Sequence, residues 1–213
     1  MHEAESSRET RSSRRRRKLV APIVARGYLS DAEIHSIFAF GRDMKVDDGG
    51  ALVRYGDAHV ALFLHHGGES LTDGVWRSFA IAHPVLLDRM ISSVRQQADE
   101  AGICDLSTEL NVRCIELHLY AAGGGLTARG HNDQGSTITL SVMLSEPEPV
   151  EHGGRFSTTD VDGVVTVHEL AKGDAIILCS EQVHNVSTLT HGERNSLVIE
   201  LWSGATNRRD RFS

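Results

Sequence analysis

Between Val112 and Trp202 the chain runs as short apolar stretches broken by glycine turns, and that texture constrains the fold more than any other feature. The stretches 112–120, 136–144, 164–170, 174–179, 183–188 and 194–202 are rich in Val, Ile, Leu and Thr. Several short strands at this spacing predict a sandwich or barrel. Successive strand residues point to opposite faces, so each stretch divides by parity. Ile115, Leu117 and Leu119 oppose Glu116, His118 and Tyr120. Ile138, Leu140, Val142 and Leu144 oppose Thr137, Thr139, Ser141 and Met143. Leu197, Ile199 and Leu201 oppose Arg194, Ser196, Val198 and Glu200. Each strand thus has one apolar and one polar face. Either the polar face is solvated, or helices cover the apolar face while the polar one lines a pocket.

Two amphipathic helices upstream could supply that cover. The first is predicted from Ser30 to about Phe40. Ser30 and Glu33 have capping-box spacing, Gly41 can end the helix, and Ile34, Ile37 and Phe38 form its buried stripe. The second is predicted from Pro84 to Ala101. Proline suits its first turn, Gly102 suits the residue past its end, and Leu86, Leu87, Met90, Ile91, Val94 and Ala98 make its apolar face. Between the helices, residues 42–75 read as irregular, with a turn at Asp47-Asp48-Gly49-Gly50 and a short strand at Val60–Leu64. Substrate-facing loops are expected in 42–82.

Charge and cysteine content narrow the function classes. The first 18 residues hold seven Arg/Lys against three Glu and read as a disordered basic tail. The net charge of −7 therefore leaves the remainder near −11, a poor surface for wrapping a phosphate backbone. Only Arg14-Arg15-Arg16-Arg17-Lys18 offers a nucleic-acid arm or nuclear-import signal. Cys104, Cys114 and Cys179 lack CxxC spacing and are expected as free thiols. No apolar run approaches the roughly 20 residues that span a bilayer. Leu19–Ala25 is too short and too interrupted by Pro22 for a signal peptide, so an intracellular protein, cytoplasmic or nuclear, is expected.

The sharpest local signal is His131-Asn132-Asp133. On a strand, positions i and i+2 share a face about 6–7 Å apart, so both side chains can converge on one ion. His184 follows at the start of another strand-like stretch. Two imidazoles and a carboxylate on one face of an ion leave positions open, the arrangement of non-haem Fe(II) oxygen chemistry. Zinc tolerates similar ligands, though catalytic zinc more often takes three histidines or two histidines and a glutamate. Thr190-His191-Gly192-Glu193 predicts a turn that returns Arg194 on an adjacent strand, facing the same way as Ser196. A guanidinium in a pocket needs an anionic partner, and its planar fork suits a carboxylate.

An ordered series of motifs carries a resemblance. Glu116-Leu117-His118-Leu119-Tyr120 is followed by Gly123-Gly124-Gly125, His131-Asn132-Asp133 and Leu144-Ser145-Glu146-Pro147. Then come Gly153-Gly154-Arg155-Phe156, Lys172-Gly173-Asp174-Ala175, Ser180 to Val186 around His184, Gly192-Glu193-Arg194 and Trp202. The series resembles the Fe(II)- and 2-oxoglutarate-dependent dioxygenases, in their prolyl 4-hydroxylase-like branch, over roughly residues 112–202. Gly27 to Glu33 is similar to the family's entry into its first helix.

The resemblance implies a mainly β protein: a double-stranded β-helix (jelly roll, cupin-like) with supporting helices packed on one sheet. It implies one domain over 19–213, with helical support in 19–105 and the jelly-roll core in 106–203. His131, Asp133 and His184 would hold Fe(II). Arg194 would pair with the distal carboxylate of 2-oxoglutarate, helped by Ser196 and Tyr120, with no catalytic group beyond the metal ligands. The implied reaction consumes dioxygen, releases succinate and CO2 and hydroxylates an unactivated C–H bond, with ascorbate in support. A prolyl or other amino-acid residue of a peptide is the substrate class this branch implies. Three departures bear on that class: arginine stands at 194 where collagen-type enzymes carry lysine, their secretory signal is missing, and Ser141 and Met143 are smaller than their usual counterparts. A non-catalytic jelly-roll module that binds a metal or ligand is the alternative reading.

Other residues carry weaker expectations. His118 reads as a hydrogen-bonded pocket histidine or a substrate contact, and Glu116, Arg129 and Arg155 as pocket-rim contacts. Gly123-Gly124-Gly125 reads as a flexible lip, His65-His66-Gly67-Gly68 as a polar loop, Asp160 and Asp162 as turn residues, and Trp76 and Trp202 as packing aromatics.

Overall fold

The computed structural model describes residues 19–47, 52–66, 78–105, 107 and 109–203. The basic tail, Trp76, the Asp48-Gly49-Gly50 part of the expected turn and Gly67-Gly68 lie outside the described residues.

Among the described residues, ten strands and three α-helices follow in order: β1 (Ile23–Ala25), α1 (Asp31–Asp47), β2 (Leu52–Arg54), β3 (His59–His66), α2 (Ser78–Ala82), α3 (Pro84–Glu100), β4 (Leu110–Ala121), β5 (Ile138–Met143), β6 (Phe156–Thr159), β7 (Val165–His168), β8 (Ala175–Cys179), β9 (Val183–Val186) and β10 (Glu193–Ser203). They form a seven-stranded sheet in the order β1-β8-β5-β10-β4-β3-β2 and a three-stranded sheet in the order β7-β6-β9. A bridge from Leu126 to Val186 extends the small sheet beside β9. From β5 onward the chain crosses repeatedly between the sheets, with β5, β8 and β10 in the large one and β6, β7 and β9 in the small one, as in a jelly roll.

The helices cover the apolar face of the large sheet. Ile34 and Ile37 of α1 and Leu87, Met90, Val94 and Ala98 of α3 share one core with Ile115, Leu117, Leu140, Val142, Leu197 and Ile199. The opposite, polar face turns inward toward the small sheet, so the pocket reading of the parity pattern holds and the solvated-sheet reading does not. A second, smaller core of Tyr120, Met143, Phe156, Ile176, Leu178 and Val186 closes the space between the sheets.

The N-terminal region supplies more than helices. Strands β1, β2 and β3 join the large sheet, and the strand expected at Val60–Leu64 extends over His59–His66. His65 and His66 are therefore strand residues paired with Ile115 and Cys114 rather than loop residues. Their polarity hid a strand whose hydrogen bonds come from β4. Helix α1 also runs through Gly41 to Asp47. A Cβ at Gly41 would stand 2.7 Å from Leu117 Cδ2. That glycine lets the helix lie close on the sheet and does not end it. Strand β6 directly follows a Gly153-Gly154 turn and lacks a long apolar run, so periodicity missed it.

Local chemistry accounts for the ends of these elements. At the start of α1, the Ser30 amide and hydroxyl each donate to Glu33 Oε2 at 2.8 Å, and the Glu33 amide donates to Ser30 Oγ at 3.4 Å. At Asp160, the amides of Asp162 and Val164 donate to Oδ1, making the expected turn between β6 and β7.

Candidate active site

Register across the large sheet decides which side chains meet. His59 of β3, Tyr120 of β4 and Arg194 of β10 are direct cross-strand partners in one row. The next row on the same face holds His118, Ser196 and Met143, and the next Glu116, Val198 and Ser141. A further row holds Cys114, Glu200 and Thr139. A bulge then shifts the β4–β10 register, because Glu200 faces Cys114 while Leu201 faces Val112. Arg113, the extra residue, donates to Glu200 at 3.4 Å and stacks under Trp202 at 5.3 Å. Simple parity fails at that point, and Trp202 packs as expected, buried in the sheet.

His131 and Asp133 lie in an extended loop before β5 rather than on a strand. Backbone bonds nevertheless fix both: the Asp133 amide donates to the Ser180 carbonyl at 2.9 Å, and the His184 amide to the His131 carbonyl at 3.0 Å. His184 stands on β9 of the small sheet. The three side chains converge, with His131 Nε2 3.4 Å from Asp133 Oδ1 and His184 Nε2 3.6 Å from Oδ2. Their ligand atoms all fall within 4.8 Å of one another. Ligands about 2.0–2.2 Å from a common ion and at right angles to it are about 3 Å apart, so this donor set fits a single metal with little movement.

The tautomer of His184 follows from its partner. A carbonyl can only accept, so Nδ1–H donates to the Gln182 carbonyl at 3.0 Å and the Nε2 lone pair faces Asp133. Thr139 Oγ1 donates to Asp133 Oδ2 at 2.6 Å and lies 2.9 Å from Ser180 Oγ. This hydroxyl fixes the rotation of the aspartate.

Arg194 faces the same cavity from the large sheet. The turn at 190–193 carries the chain from the small sheet to the large one, so Arg194 returns opposite β9 and not beside it. Its guanidinium is buried at 2% exposure, donates from Nη1 to Ser196 Oγ at 3.0 Å and sits 5.3 Å above the Tyr120 ring. Burial lowers its pKa from the ordinary arginine value, and no described carboxylate pairs with it. Burial likewise pushes the Tyr120 phenol up to about 12, so it stays protonated. The cavity they share is lined by Tyr120, His131, Asp133, His184, Arg194 and Ser196 among others. Of these six residues, only Tyr120 also lines a roomier groove between α1 and the ends of β4 and β10.

No protein-family model matches the chain. A PKHD-type hydroxylase of Caulobacter vibrioides is 28% identical over 120 residues. That match covers 51% of this chain, which spans about half (52%) of the length of that relative. Among solved structures, an oxidoreductase of the 2OG-Fe(II) oxygenase family from Burkholderia pseudomallei superposes with a TM-score of 0.60 at 15% identity, covering 89% of this chain and 88% of that one. A Pseudomonas putida prolyl-4-hydroxylase superposes with a TM-score of 0.56 at 16% identity, covering 90% and 94%. The chain has the 2OG-Fe(II) oxygenase fold.

Within that oxygenase fold, sequence reasoning missed Thr139, Ser180 and His59. A threonine in a strand looks like any β-former, and only tertiary contact shows that its hydroxyl meets Asp133. Of the weaker expectations, Glu116 is wholly buried inside the cavity rather than at its rim. Its Oε1 accepts from Cys114 Sγ at 3.1 Å, and its Oε2 lies 3.1 Å from His118 Nε2. Arg129 is exposed, and Arg155 donates to the Glu148 carbonyl and Glu169 away from the metal ligands. Gly123-Gly124-Gly125 is packed rather than a free lip, since a Cβ at Gly124 would stand 2.2 Å from the Ala58 carbonyl oxygen.

Proposed function

We propose that this chain is an Fe(II)- and 2-oxoglutarate-dependent oxygenase that hydroxylates an unactivated C–H bond. The single observation that carries the reading is a buried guanidinium with no carboxylate partner among the described residues, facing the same cavity as two imidazoles and a carboxylate. A buried charge of that kind is costly until an anion joins it. A dicarboxylate that reaches the metal with one end and Arg194 with the other satisfies both.

His131, Asp133 and His184 would hold the iron, and Thr139 fixes the aspartate through its hydroxyl. Arg194 takes the distal carboxylate through its fork. Because Ser196 Oγ already accepts from Arg194, its own O–H is left to donate to the same carboxylate. Tyr120, a neutral phenol, stacks against the guanidinium and walls the site. The chemistry supplied by bound iron and dioxygen is oxidation of 2-oxoglutarate to succinate and CO2, coupled to hydroxylation of the substrate. The two sheets keep bulk water from the reacting atoms. A prolyl or other amino-acid residue in a peptide is the substrate class, supported by the prolyl 4-hydroxylase-like motifs of the sequence.

The test is succinate release from 2-oxoglutarate with Fe(II), ascorbate and a peptide panel. Wild type gives succinate, coupled or uncoupled, and Asp133→Ala gives none. A chain that neither turns over nor binds Mn(II) and 2-oxoglutarate overturns the reading. Binding of both without any turnover identifies the non-catalytic module instead.

A further inference from the structure

Strand β3 brings an aromatic column against the arginine, and the sequence assigned no role to any part of it beyond Tyr120. The His59 ring stacks on Tyr120 with centroids 3.9 Å apart and planes 19° apart. On its other side Tyr55, 44% exposed, stacks at 4.8 Å and 24°. Arg194 closes the far end over Tyr120 at 5.3 Å. The order is thus Tyr55, His59, Tyr120, Arg194, from the solvent side to the buried end.

The edge of the His59 ring is tied down as well as its faces. Nε2 lies 2.9 Å from His118 Nδ1, and His118 Nε2 lies 3.1 Å from Oε2 of buried Glu116. One proton is shared between the two facing imidazole nitrogens, so a chain of three buried side chains fixes the plane of the ring. Burial, the neighbouring His118 and the Arg194 cation lower the His59 pKa to about 4. A neutral ring is what can pack one residue away from a buried guanidinium without repelling it.

We infer that His59 is a positioning residue for the cosubstrate: its ring face holds Tyr120, and through Tyr120 the Arg194 fork, at the angle that receives a distal carboxylate. This rests on the oxygenase reading. It goes beyond that reading by placing a determinant of 2-oxoglutarate affinity on β3, outside the stretch that resembles the family. His59 touches neither the proposed metal ligands nor the reacting atoms, so its loss moves cosubstrate affinity and leaves the metal alone.

The experiment titrates 2-oxoglutarate into the Mn(II)-loaded full chain, titrates Mn(II) by itself, and measures the KM for 2-oxoglutarate and kcat of the Fe(II) enzyme. His59→Ala weakens 2-oxoglutarate binding and raises its KM on the order of tenfold, with kcat and Mn(II) affinity within about twofold of wild type. His59→Phe, which keeps a flat ring on Tyr120, restores most of the affinity, whereas His59→Gln, which keeps a hydrogen-bonding end near His118, does not. If His59→Ala fails to fold, His59→Leu fills the volume and serves in its place. Unchanged 2-oxoglutarate affinity in the Ala or Leu variant overturns the inference. So does a parallel loss of Mn(II) affinity, which marks general damage, or rescue by Gln instead of Phe. Failure of the wild type to bind 2-oxoglutarate is a different result, and it sinks the oxygenase reading itself.

Discussion

Thr139 shows how much one hydroxyl can decide. Its 2.6 Å bond to Asp133 Oδ2 leaves Oδ1 toward His131, and both Thr139 and its neighbour Ser180 are fully buried. Thr139→Val keeps the shape and removes the donor. The expected outcome is Mn(II) affinity weakened about tenfold or more, with Thr139→Ser close to wild type. Calorimetric titration of Mn(II) checks it, and equal affinities in all three proteins would show that Asp133 needs no such support. At this scale the sequence was informative about residue types and spacing. His131, Asp133, His184 and Arg194 stand out because an imidazole, a carboxylate, a second imidazole and an arginine follow in that order within the motif series that resembles the dioxygenases. Thr139 and His59 do not, since threonine is an ordinary strand former and a lone histidine an ordinary polar residue.

At the scale of elements, close backbone approach matters as much as periodicity. Gly124 sits where β4 ends, against the turn that precedes His59, and its missing Cβ leaves room for the Ala58 carbonyl. Gly124→Ala must push that turn away. The expected cost is on the order of 3 kcal/mol, read as a lower urea midpoint with unchanged slope. An unaltered midpoint would mean that the turn shifts freely. Helices α1 and α3 were legible because capping chemistry and a 3.6-residue stripe are written locally, and the Ser30–Glu33 box formed as its spacing predicts. The extent of α1 was not legible, because Gly41 can mean either a helix end or a contact with Leu117. Strand β3 was under-read for a related reason: its partner β4 lies some fifty residues away, and β2 pairs in turn only with β3.

For the whole molecule, Asp174 joins the N-terminal strand to the β-core. It accepts from the Gly27 and Ala171 amides at 2.9 Å each and pairs with Arg26. Burial opposes ionisation, yet these donors together hold its carboxyl below the ordinary aspartate value. A depressed folded pKa contributes stability above the unfolded value of about 4 and loses it as pH falls through the folded one. Asp174→Asn therefore melts below wild type at pH 7, and the gap narrows as the pH is lowered toward 3. Thermal melts across that range test the sign, and a gap that stays constant removes Asp174 from the acid response.

By itself the sequence determined which residues can be strand or helix and which face of each is apolar, and it singled out His131, Asp133, His184 and Arg194 as candidates for a metal and an anion. These are properties of spacing and local chemistry, and they survive without knowledge of neighbours. Only the tertiary structure decided that the polar faces line a cavity, that Arg194 stands opposite His184 rather than beside it, and that Thr139 and His59 touch the residues they serve. Cross-strand register sets those contacts, and register is a relation between segments far apart in the chain, which no single segment encodes.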